Sequence, residues 1–91
     1  MARETYAAAR ERLIREAQAA GIKVQLLAGN GSMRALKSPR IVFPGATIEL
    51  APQSVHLLPS GYSLWSDYRG MSLAQLESSA TDMSERLSRV R

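Results

Sequence analysis

The sequence predicts an α+β domain in two layers: an N-terminal helix, a small antiparallel meander of three to five short strands, and a C-terminal helix. Three observations predict it. Apolar residues recur at spacings of three and four over residues 3–20 and 73–90, the period drops to two after residue 22, and turn formers cut 22–65 into short runs. Ninety-one residues leave room for one domain, 1–91.

In the first helix, Tyr6, Ala9, Leu13, Ala17 and Ala20 form one narrow apolar stripe with Ile14 beside it. The alanines favour helix by propensity, and Gly21 stands where a left-handed C-terminal cap is expected. Glu11 and Arg15 have the spacing and order of a favourable i,i+4 ion pair.

From Ile22, the residues Ile22, Val24 and Leu26 alternate with Lys23 and Gln25, the pattern of a half-buried strand over 22–28. Gly29-Asn30-Gly31 supplies the positive-φ residues of a tight hairpin turn. Strand-like runs follow at Ser32–Lys37, Arg40–Phe43, Ala46–Leu50, Ser54–Leu58 and Tyr62–Trp65, separated by Ser38-Pro39, Pro44-Gly45, Ala51-Pro52 and Pro59-Ser60-Gly61. Proline cannot donate to a ladder, so some runs are expected at edges or in loops.

The last helix opens on Ser72, with Gln75 completing a capping box. Leu73, Leu76, Ala80, Met83, Leu87 and Val90 then form an unbroken a/d seam, flanked by the i,i+4 pairs Asp82–Arg86 and Glu85–Arg89.

Composition narrows the chemistry. Without cysteine there is no disulfide, no thiolate chemistry and no Cys-based zinc site, and one histidine without cysteine cannot found a typical zinc site either. The apolar runs are too short to cross a membrane, and MARETYAAARER has no apolar h-region; a cytoplasmic protein is expected. His56 alternates with Val55 and Leu57 and so points away from them, as a solvated strand histidine does. No nucleophile–base–orienter set and no cofactor motif accompanies it, so neither catalysis nor a cofactor is expected. AGNGSMR, residues 28–34, lacks the third glycine of a dinucleotide fingerprint and the Gly-Lys-Ser/Thr ending of a P-loop. A hairpin turn explains its glycines.

The net charge of +4 is concentrated in the middle: Lys23, Arg34, Lys37 and Arg40 stand without an acid between residues 21 and 43. These four are the candidate nucleic-acid contacts of a small basic binding protein. Ten of the twelve cations are arginine, which in an alanine-rich chain also reflects the coding bias of a GC-rich genome. The order helix, strands, helix is similar to that of double-stranded-RNA-binding domains. The lysine cluster those domains place at the start of their second helix is missing, since Ser72–Ser79 has no basic residue.

Protein association is the leading expectation: a small non-enzymatic accessory or regulatory protein, of the kind bacteria and phages use, binding another protein or itself. The last helix carries more apolar seam than a small core covers, which nominates Leu76 and Met83. The stretch GYSLWSDYRG nominates Trp65, Tyr68 and Arg69, residue types enriched at interface hot spots. Strict alternation puts Tyr62 and Leu64 on one face of the last strand and Trp65 with Ser63 on the other.

Overall fold

Helix α1, Tyr6–Ala19, starts where the Thr5 hydroxyl accepts a hydrogen bond from the Ala8 amide at 3.0 Å, in a computed structural model that describes residues 4–25 and 38–89. It ends in a Schellman motif. Gly21 takes φ +76°, its amide bonds the Gln18 carbonyl at 3.1 Å, and the Ile22 amide reaches the Ala17 carbonyl at 2.8 Å. The left-handed turn reverses the chain into β1, Lys23–Gln25.

Strands β2 (Arg40–Phe43), β3 (Ala46–Leu50), β4 (Val55–Leu58) and β5 (Tyr62–Trp65) follow in a meander. All pairings are antiparallel, and spatial order equals chain order from β1 to β5. Three strands have the bounds the alternation predicts, and β4 starts one residue later. Of the expected strand over 22–28 the described residues show Lys23–Gln25. The rest of that run, the Gly29-Asn30-Gly31 turn and the run Ser32–Lys37 lie outside the described residues.

The register puts Val24, Ile41, Ile48 and Leu57 in one row across the sheet, with Phe43–Ala46 and Leu50–Val55 as further pairs on the same face. Both helices cover that face. Ala9, Leu13 and Ala17 of α1 and Leu76 and Ala80 of the second helix join the sheet residues in one hydrophobic cluster, with Tyr68 at its margin. The alanine stripe of α1 thus brings its backbone close over β1, while the second helix lies over β3. The opposite face carries Lys23, Gln25, Arg40, Glu49 and His56.

Helix α2, Leu73–Arg89, opens on the expected capping box: the Gln75 amide donates to the Ser72 hydroxyl at 3.1 Å, and the Ser72 amide donates to the Gln75 side-chain oxygen at 3.0 Å. Where it crosses the β2–β3 turn, a Cβ on Gly45 would stand 3.2 Å from the Thr81 methyl, so the small residue permits the approach. Only Leu76 and Ala80 of α2 are fully buried, and residues 85–89 are all exposed. The helix outruns its own core.

Three expectations change. A register shift between Val55 and His56 makes β5 bulge, so Trp65 pairs with Val55 while Ser63 pairs with His56. The extra residue, Leu64, breaks the alternation and brings Trp65 round to the face that α2 covers. In α1 the ion pairs are those of Arg12, with Glu4 at 2.8 Å and Glu16 at 3.5 Å, in place of Glu11–Arg15. Leu76 belongs to the core and presents nothing to a partner. The expected Asp82–Arg86 and Glu85–Arg89 pairs both form, at 3.3 and 4.0 Å.

The two halves of α2 should respond differently to truncation. Leu76→Ala should cost about 2–5 kcal/mol, as a buried leucine does. Leu87→Ala should shift stability by no more than about 0.5 kcal/mol. Urea unfolding of both variants checks this; equal losses would place Leu87 in the core.

Candidate interaction surface

The loop between β5 and α2 is fastened by Tyr68, whose side chain is fully buried. Its hydroxyl accepts a hydrogen bond from the Arg10 guanidinium at 2.7 Å and donates to the Ala51 carbonyl at 2.8 Å. Arg10 also reaches the Pro52 carbonyl at 3.1 Å. Burial raises the Tyr68 pKa, which keeps the donating proton in place, while the Arg10 hydrogen bond pulls the other way. The ring meets Tyr6 edge-on at 5.3 Å, and the Arg69 guanidinium lies 4.4 Å over the Tyr6 ring.

A second tie runs beside it. Glu4 accepts from Arg12 at 2.8 and 3.1 Å and from the Gly70 amide at 2.9 Å. These bonds, Arg12's first, hold its carboxyl well below the ordinary 4.5, at about 2. Arg69 is occupied by Asp67 at 2.7 Å. Of the residues nominated from GYSLWSDYRG, Tyr68 is structural and Arg69 is paired within its own loop; Trp65, at the groove beside α2, stays exposed.

Among the described residues the large apolar side chains in the open are Tyr62, 47% exposed, Trp65, 40%, and Leu87, 37%. They lie along one side of the molecule. Tyr62, Leu64 and Trp65 on β5 and Ser79, Asp82 and Met83 on α2 enclose a groove of about 240 Å³. Beyond it, Leu87 overhangs Leu57, Leu58 and Pro59 at the β4–β5 turn, around a hollow of about 480 Å³. Met83 is partly buried and packs against the core from the groove floor. β5 is also the edge of the sheet. Tyr62 and Leu87 escaped sequence reasoning because alternation and the seam state which residues share a face, not which of them the opposing layer leaves uncovered.

Lys23 and Arg40 stand on the uncovered sheet face, and Arg40 leans on Glu49 at 3.7 Å. Arg34 and Lys37 lie outside the described residues.

On the same face the Ser54 hydroxyl is 2.7 Å from His56 Nε2, and His56 Nδ1 is 3.3 Å from the Gly61 carbonyl. A carbonyl only accepts, so Nδ1 carries the proton and Ser54 donates to Nε2. The ring thereby clips the start of β4 to the β4–β5 turn. Among the described residues no three His, Cys, Asp or Glu side chains converge as a metal site would require, and no helix is long and apolar enough to cross a membrane.

Two measurements test the fastening. Tyr68→Phe leaves a buried guanidinium and a carbonyl each short of a partner and should cost about 1–3 kcal/mol, read as a fall in thermal midpoint of roughly 4–8 °C per kcal/mol. An unchanged midpoint would show that the hydroxyl contributes nothing. Because the Glu4 pKa is depressed on folding, its contribution should be complete above pH 4.5 and fade as pH falls towards about 2. The stability gap between the wild type and Glu4→Gln should close over that window; a gap that persists at its acid end would locate the effect elsewhere. No family model, curated protein or solved structure is significantly similar to this chain.

Proposed function

We propose that this protein is a small, non-enzymatic accessory or regulatory module that acts by binding another protein through the edge formed by β5 and the adjoining flank of α2. One observation carries the reading: Tyr62, Trp65 and Leu87, the exposed large apolar side chains among the described residues, border neighbouring hollows on a single side. Scattered exposed apolar residues need no explanation, but a clustered set with tryptophan and tyrosine beside a sheet edge is the composition of an interface centre. The ion pairs of α2 supply a polar rim.

Nucleic-acid binding through Lys23, Arg34, Lys37 and Arg40 is the second reading. It is the weaker because Arg40 is engaged by Glu49 on the described part of that face.

A photo-crosslinking side chain placed at position 65 should yield defined protein adducts in cells that express the chain. The same group at Arg15, exposed on α1, should yield none. Equal labelling from both positions, or none from position 65, would overturn the reading. Nucleic-acid adducts from position 23, with affinity falling linearly in log salt, would favour the alternative.

A further inference from the structure

We propose that the occupant of the β5/α2 edge is a second copy of this chain, docked about a two-fold axis with the two α2 helices antiparallel; this rests on the protein-binding reading above. The shift between Val55 and His56 bulges β5, and a bulge at a sheet edge interrupts the row of backbone groups that an added strand needs. A partner at this edge therefore engages side chains.

The charge pattern of those side chains is complementary to itself. Ser79 and Asp82 line the groove with Tyr62 and Trp65, which identifies the flank of α2 that faces the edge. At helical spacing that flank continues as Gln75, Ser79, Asp82, Arg86 and Arg89. Two such stripes laid antiparallel about an axis beside position 84 set Asp82 of each copy against Arg86 of the other, and Ser79 against Arg89. Acid meets base and small meets long, twice each, as an isologous interface requires. A different partner would need a matching stripe of its own.

The flank itself sets Asp82 against Arg86 and Arg89, a net +1 of the chain's +4, so repulsion between two copies of it is small. Intramolecular Asp82–Arg86 pairs, at 3.3 Å and well exposed, are exchanged for intermolecular ones at little net cost, so they set the register. Tyr62 and Trp65 contribute the apolar contact on either side of the axis.

Sedimentation equilibrium decides the matter. The wild type should rise with concentration from 10.0 kDa towards twice that mass. Asp82→Arg makes the matched positions of both copies basic and Arg86→Asp makes them acidic, so each variant alone should stay monomeric. An equimolar mixture of the two should dimerise again, because only the contact between chains is restored. Tyr62→Ser combined with Trp65→Ser should abolish the dimer while the far-ultraviolet circular dichroism stays unchanged. A wild type that stays monomeric to millimolar concentration, a mixture that fails to recover, or a dimer indifferent to Tyr62 and Trp65 would each overturn the proposal. If the wild type is monomeric yet position 65 still crosslinks a different protein, the second copy is excluded and the protein-binding reading stands; if neither occurs, both fall.

Discussion

The Tyr68 hydroxyl, held between the Arg10 guanidinium and the Ala51 carbonyl, joins three segments far apart in the chain: the first helix, the β3–β4 turn and the loop that launches the last helix. A buried arginine is costly unless its hydrogen-bonding groups are engaged, and here the guanidinium donates to the Tyr68 hydroxyl and to the Pro52 carbonyl of the β3–β4 turn. The same loop is secured a few residues on, where Glu4 takes the Gly70 amide. The entry angle of α2 depends on these ties, and so does everything α2 covers or leaves open.

From that fixed start α2 crosses the sheet over β3, seals the core with Leu76 and Ala80, and runs on past it. A small domain buries a limited share of its surface. This one spends most of its apolar side chains on the face shared by the two helices. Among the described residues the uncovered surplus gathers where the far end of α2 stands beside the last strand, and the bulge in β5 adds Trp65 to it. Among the described residues, the exposed aromatic side chains Tyr62 and Trp65 both stand on that edge.

The two sheet faces divide the remaining chemistry. The covered face is apolar throughout, whereas the open face pairs Arg40 with Glu49 and holds His56 between Ser54 and Gly61. Charges that appear in sequence as an unopposed basic run are partly answered by an acid one strand away. Cross-strand neighbours, and not chain neighbours, set the local field on a sheet.

Element order, the bounds of β2, β3 and β5, the end of α1 and the start of α2 were legible in the sequence because each rests on local chemistry, whereas the Thr5 cap that starts α1 at Tyr6 and not at residue 3 was missed. Gly21 ends a helix since only a left-handed residue completes the cap, Ser72 and Gln75 start one by satisfying each other's amides, and alternation separates Ile48 from Glu49. The candidate site was legible in part: Trp65 and Met83 border the groove, whereas Tyr68 and Leu76 are buried. Periodicity states which residues share a face but not how far the opposing layer extends over it. Coverage is a tertiary quantity. It alone decided that Leu76 is core while Leu87, on the same seam, is exposed, that Tyr68 is a fastening while Trp65 is surface, and that one extra residue in β5 turns that tryptophan towards α2.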